Sequence, residues 1–361
     1  MYPSAIHGED CMSHLNRREF LSKIAVGISA ATLSACAPKV LTSSAISSPQ
    51  TPETFSPPLT ANPSDIDSPD NQLAEPTPVE NTNSISTPSM AYPHMVIARH
   101  GSPQAMVGQA LAALGGIERF VPPGADVIIK PNICVAYHTY EYAATTNPWV
   151  VGSLVSLCVA AGAKRVRVTD YPFGGTPQEA YVRTGIQEQV HAAGGEMLVM
   201  PNFSFIPTDI PAGLDLKNAA IFNEALSADV LINVPVAKDH GLARLTLGMK
   251  NLMGLIYDRP AIHRNIGQRL SDLTSLLKPT LTIIDAVRML MDNGPTGGSL
   301  NDVKQADTII ASPDIVAADS YGATLFGMLP GDLSYVTAGT AMGLGRSDLE
   351  NMNIEEIFVN A

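Results

Sequence analysis

Residues 228–263 read ADVLINVPVAKDHGLARLTLGMKNLMGLIYDRPAIH. The run Val230-Leu231-Ile232-Asn233-Val234 has the near-continuous apolar pattern of a strand buried on both faces, and Pro235 ends it. Lys238, Asp239, His240, Arg244, Thr246, Lys250, Asn251, Arg259 and His263 follow in close order. A surface loop reaches this polarity by chance. A buried strand that feeds directly into such a cluster is less usual. In open α/β sheets ligands bind at the carboxyl ends of the strands. The stretch is therefore expected to form the floor and one wall of a site that prefers an anion.

The chain around it alternates strands with helices. Strands are predicted at 95–98, 126–129, 165–170, 197–200, 229–234, 281–285 and 308–311. Helices are predicted at 104–114, 148–161, 176–193, 262–277, 315–326 and 347–358, with a small hairpin at 207–216. Asn147 before Pro148 has the form of a helix N-cap, and Gly194-Gly195 would stop the helix before it. This alternation predicts an α/β fold, a mainly parallel sheet with helices on both faces.

Val234-Pro-Val-Ala-Lys-Asp-His240 and Thr246-Leu-Gly-Met-Lys-Asn-Leu-Met-Gly254, followed by an Arg and a His, resemble the domain of unknown function family 362. The resemblance extends to Ile128-Ile-Lys-Pro-Asn132, Ile284-Asp285, Gly294-Pro295 and Ser312-Pro313-Asp314, and covers about residues 92–328. Members of that family are often fused to, or encoded with, ferredoxin-like iron–sulfur modules. The resemblance thus implies a redox-associated enzyme or accessory, with a separate ferredoxin-like protein as a partner.

The N-terminus reads as an address. Asn16-Arg17-Arg18-Glu19-Phe20-Leu21 looks like a twin-arginine export signal, with Met12 as the expected start. The apolar run 24–35 is short of the roughly 20 residues that span a bilayer. It ends in Leu33-Ser34-Ala35-Cys36, which looks like a lipobox, making Cys36 the expected lipidation site. Residues 1–36 are expected as signal peptide and 37–90 as a disordered linker rich in Pro, Ser and Thr. Residues 91–361 are the α/β domain. The expected location is the outer face of the cytoplasmic membrane, held there by lipid.

Composition bounds the function. With 361 residues, 45% of them hydrophobic, a sizeable core is possible. A net charge of −12 argues against nucleic acid, which needs a basic footprint. A single Trp gives no stacking platform. Beyond Cys36 only Cys134 and Cys158 remain, whereas an iron–sulfur cluster normally takes four thiolates, so no cluster is expected within this chain. Cys134 either lines the site or is an inert buried thiol. Disulfide pairing of the two is open.

Among ionisable groups, Lys130, Lys238 and Lys250 sit at strand ends or in motifs. Such lysines are most often solvated charges. Here two lie beside Asn132 and Asn251, so with Arg259 they are read as ligands for a carboxylate or phosphate, and Asp319 is placed with them. Asp170, His240, His263 and Asp285 are read as proton-handling groups. A metal is not indicated, because neither His240 nor His263 has an HxxH or HxxE spacing. The glycine-rich turns 173–176 and 294–298 match no dinucleotide or Walker fingerprint. Three classes stay open: an enzyme or redox accessory acting on a small anionic ligand, a non-catalytic solute- or cofactor-binding lipoprotein, and an adaptor that docks a separate iron–sulfur protein.

Overall fold

The computed structural model describes residues 92–359; the stretches expected as signal peptide and linker, Cys36 among them, lie outside the described residues. In chain order the first half runs β1 (Met95–Arg99), α1 (Pro103–Ala113), β2 (Asp126–Pro131), α2 (Pro148–Ala160), β3 (Arg165–Val168), α3 (Pro177–Arg183), α4 (Ile186–Ala192), β4 (Glu196–Met197), β5 (Phe205–Asp209), β6 (Asn218–Phe222) and α5 (Asn223–Ser227). The second half runs β7 (Val230–Val234), β8 (Val236–His240), β9 (Arg244–Thr246), α6 (Gly248–Asn251), α7 (Arg259–His263), α8 (Ile266–Leu277), β10 (Leu281–Leu290), β11 (Val303–Ser312), α9 (Ile315–Thr324), α10 (Ser334–Ala341) and β12 (Ile354–Phe358).

The main sheet has the order β12-β1-β11-β10-β7-β2-β3-β4, with β8 and β9 branching from β10. β10, β7, β2, β3 and β4 run parallel, and β11 is antiparallel to both β10 and β1. The sheet is thus mixed α/β and mostly parallel. Period-two alternation divides its side chains between two cores. Val96, Ala98, Val127, Ile129, Val166 and Ile232 face one layer with α1, α2 and α4. Met95, Ile97, Ile128, Leu231, Ile284 and Ile310 face the other, with α8, α9 and α10. Asn147 caps α2, its side chain accepting from Trp149 N at 3.0 Å.

Five local expectations differ from the structure. The single helix predicted over 176–193 is two helices, because Gly185 adopts φ 77° and breaks the run. The helix predicted over 262–277 is interrupted at Asn265, which leaves helical geometry (φ −149°, ψ 69°) and donates its side-chain amide to Asp215 Oδ2 at 2.8 Å. The predicted strand 197–200 keeps only Glu196–Met197 in the ladder. Residues 347–358 were expected as a helix, yet β12 pairs parallel to β1. Ile354 and Ile357 are spaced as a helix would space them, but the open edge of β1 captures the segment. The hairpin is wider than 207–216, formed by β5 and β6.

Candidate functional site

β2 and β3 are adjacent parallel strands, so their carboxyl ends bring Lys130 and Asp170 together. Lys130 Nζ lies 2.8 Å from Asp170 Oδ1 and donates to Asn251 Oδ1 at 2.8 Å; the lysine is fully buried and Asp170 is 3% exposed. Burial pulls the Lys130 ammonium below its ordinary range, with the Asp170 charge opposing that pull. Asp170 also accepts from the backbone of Ile133 at 2.5 Å and of Tyr171 at 2.8 Å, which fixes its orientation. Gly254 covers the pair. A Cβ there would overlap Asp170 Oδ1 and lie 2.6 Å from Lys130 Cε, so only glycine allows this approach.

Asn251 locks three segments. Its oxygen accepts from Lys130 Nζ and from Asn132 Nδ2 (3.0 Å). Its nitrogen donates to Lys130 O (3.1 Å) and to Asn233 Oδ1 (2.9 Å) on β7. The amide is therefore saturated by protein and positions Lys130, whereas the sequence placed it as a ligand contact.

Lys238, on β8, is also fully buried. Its Nζ donates to Cys134 Sγ (2.9 Å), Ala144 O (2.7 Å) and Pro295 O (2.9 Å). Lys130 and Lys238 are thus not the solvated charges that strand-end lysines most often are. Strand-end position does not guarantee solvent when loops fold over the edge. Cys134 and Cys158 are both free and buried, with no disulfide between them. Cys134 lines the cavity, its thiol 3.4 Å from Asn132 Oδ1. Cys158 belongs to the α1/α2 core, where burial pushes its thiol up to about 12.

Lys250 differs from the other two lysines. It projects from the four-residue α6, is partly exposed, and forms no side-chain hydrogen bond among the described residues. Burial lowers its pKa to about 8, Cys134 opposes the fall, and Lys238, Lys130 and Arg259 add to it. α6 is held from below by Asp319, whose two oxygens accept from Gly248 N (2.5 Å) and Met249 N (2.9 Å). Desolvation raises Asp319 to about 7. Asp285 plays a similar part for α2, accepting from Asn147 N (2.6 Å) and Val287 N (3.0 Å), and burial raises it to about 6.

These groups enclose a cavity of about 540 Å³, within the range of small-molecule sites. Of the eleven residues expected to bind or react, Lys130, Asn132, Asp170, Lys238, His240, Lys250, Asn251, Arg259 and His263 line it. Asp285 and Asp319 do not: both are buried behind it, each spent on two backbone amides. They look reactive in sequence because a strand-end acid and a helix-holding acid read alike. His240 is also corrected. Its Nδ1 accepts from Leu242 N (3.1 Å) and Ala243 N (3.2 Å), which leaves the proton on Nε2. Burial, then Lys250, Lys238 and His263, lower its pKa to about 3. It is a neutral hydrogen-bond donor, not a base. His263, exposed, has its ring 6.4 Å from that of His240 and is lowered by burial, Lys250 and Arg259.

Sequence reasoning missed the cavity's aromatic side. Tyr171, Phe173 and Tyr257 line it. Tyr171 and Tyr257 stack at 6.5 Å, and the Arg259 guanidinium sits 4.7 Å over the Tyr171 ring. Tyr171 and Tyr257 are far apart in sequence, so no local pattern announces the pair. Thr246 was named in the opening stretch without a role. Thr246 lines the cavity, and its hydroxyl is buried with no hydrogen-bond partner among the described residues. The cavity wall thus carries four cationic side chains and one carboxylate.

The family model described as Domain of unknown function (DUF362) matches residues 127–324. The chain is 26% identical over 265 residues to the Thylakoid-associated protein sll1697 of Synechocystis sp., covering 69% of this chain and 78% of that one. The lactate racemase apoprotein from Thermoanaerobacterium thermosaccharolyticum aligns at 13% identity and a TM-score of 0.42, covering 64% of this chain and 56% of its own. A Thermotoga maritima protein aligns at 12% identity and a TM-score of 0.41, covering 63% and 60%. The chain thus spans little more than half the length of each of these two solved structures.

Proposed function

The chain belongs to the family described as Domain of unknown function (DUF362), and we propose that its domain binds a small organic anion in the cavity at the strand ends. One observation carries this reading. On a protein of net charge −12, the cavity gathers Lys130, Lys238, Lys250 and Arg259 against the single carboxylate of Asp170. Lys130 and Lys238 are internally engaged and supply fixed positive field. Lys250 and Arg259, both partly exposed, remain to meet the ligand directly. The Tyr171–Tyr257 wall favours an anion that carries a planar ring.

The test is calorimetric titration of the full-length protein with inorganic phosphate and with 4-nitrophenyl phosphate. Both should bind, the aromatic ester more tightly, and both more weakly as salt rises. Absence of binding by either at low salt would overturn the reading. Membrane attachment through Cys36 after twin-arginine export is part of the same proposal. It draws on residues 17–36, and the word thylakoid-associated in the relative's name is in keeping with it. A Cys36→Ser protein that still fractionates with membranes would refute it. A second reading, catalysis on the bound anion, is favoured by Lys250, whose amine is brought to about 8.

A further inference from the structure

We propose that Lys250 is a covalent attachment point, forming an imine with the carbonyl group of a phosphate- or carboxylate-bearing aldehyde or ketone held in the cavity. This inference rests on the anion-binding reading and assigns a reaction to it. Three lysines line the cavity, and two are spoken for. Lys130 is engaged by Asp170 and Asn251, and Lys238 by Cys134 and two carbonyls. Lys250 alone of the three presents an amine without a protein acceptor among the described residues, and its backbone is held on both sides. Asp319 fastens the start of α6 and the saturated Asn251 amide fastens its end.

A nucleophilic amine must be unprotonated. Desolvation together with neighbouring cations is how a lysine reaches that state near neutral pH. Both are present: burial, Lys238, Lys130 and Arg259 bring Lys250 to about 8, against the opposing charge of Cys134. The same cations would hold the phosphate or carboxylate of the incoming molecule. The two imidazoles coupled electrostatically to Lys250 supply proton partners. His240 offers an Nε2–H donor to the carbonyl oxygen, and neutral His263 accepts a proton.

The step balances without an oxidant or reductant. The Nζ lone pair forms the C–N bond as the carbonyl π pair moves to oxygen, which takes up a proton. The nitrogen loses one proton to give the neutral carbinolamine; the hydroxyl then takes up a second proton and leaves as water while the nitrogen lone pair forms C=N, and the nitrogen gives up its second proton. The net change is amine plus carbonyl to imine plus water.

Pyridoxal 5′-phosphate is a suitable probe, since it carries an aldehyde, a ring and a phosphate. Full-length protein would be incubated with it, reduced with borohydride and mapped by peptide mass spectrometry. Lys250 should take the label faster than exposed Lys304 by on the order of tenfold or more, because an ordinary lysine is far less deprotonated at the same pH. The labelling midpoint should fall near pH 8. Inorganic phosphate should slow it, and pyridoxal without phosphate should show no preference for Lys250. Lys250→Arg, which keeps the cation, should lose the rapid phase. Should that variant not fold, the map of the unaltered protein decides alone. Label distributed by exposure, with Lys250 unmodified, overturns the inference. Pyridoxine 5′-phosphate, which has no aldehyde, separates the two claims. If it binds by calorimetry while Lys250 stays unlabelled, the imine falls and the anion site stands; if neither phosphate ester binds, both fall.

Discussion

Gly254→Ala tests whether the buried Lys130–Asp170 pair is held by close approach of the 252–255 turn. The added Cβ would overlap Asp170 Oδ1 and sit 2.5 Å from Lys130 Nζ, so one of the two groups must move. Both are buried, and neither reaches water by a rotamer change. Separating a buried ion pair costs about 3–5 kcal/mol, because each charge is left short of partners. Lys130 keeps its bond to Asn251, and Asp170 keeps those from Ile133 and Tyr171, so the lower end of that range is expected. For a domain of this size about 2 °C of melting temperature is lost per kcal/mol, so that lower end, about 3 kcal/mol, gives a drop of roughly 6 °C. Scanning calorimetry of the full-length protein measures it. Gly331→Ala is the control, since a Cβ there meets nothing within 4 Å and the position is exposed. A Gly254→Ala protein that melts within about 1 °C of this control would show that the pair does not depend on glycine.

Other consequences can be measured separately. Lys238→Ala leaves Ala144 O, Pro295 O and Cys134 Sγ without their donor and should cost about 3–5 kcal/mol in urea unfolding; a loss under about 1 kcal/mol, the exposed-lysine figure, would contradict the burial. Arg259→Ala removes a partly exposed cation and should weaken phosphate binding by about 1.5–3 kcal/mol with little change in melting, as read by calorimetric titration. His240 binds its proton less tightly folded (about 3) than unfolded (6.5), so its contribution to stability is present above pH 6.5 and is lost as pH falls toward about 3. His240→Asn, which keeps an acceptor for the 242–243 amides, should flatten this component, and a wild-type-minus-variant stability difference that stays constant between pH 4.5 and 7 would refute it. Asp319 has the opposite sign. Its raised pKa, about 7, means stability falls as pH rises from about 4 to about 7, and unfolding of Asp319→Asn across that window checks it.

Much of the framework was legible because its signals are local. The apolar runs of β2, β7 and β10 and the Asn147-Pro148 start of α2 each carry their own physics. The motif lysines were legible as members of one site, since parallel strands return to the same edge. What was illegible depends on partners distant in sequence. Burial of Lys238 is decided by carbonyls of residues 144 and 295, and the tautomer of His240 by amides brought to its Nδ1 only when the β8–β9 turn closes. Asp285 and Asp319 were misread for the same reason: their chemistry is set by which backbone amides they meet. The strand at 354–358 needed the edge of β1, some 260 residues earlier, to exist.

Thirteen of the twenty-two residues lining the cavity come from positions 238–263, the stretch between β7 and α8. The rest of the wall comes from only three short segments at strand ends or turns. Such an arrangement separates inheritance of the scaffold from inheritance of selectivity. Substitutions at exposed positions of that stretch, such as Leu242, Tyr257 and His263, could retune which molecule is held without disturbing the Lys130–Asp170–Asn251 anchor or either core. Chains sharing this framework would then diverge in ligand faster than in fold, and grafting residues 238–263 between two of them should transfer ligand preference as a block.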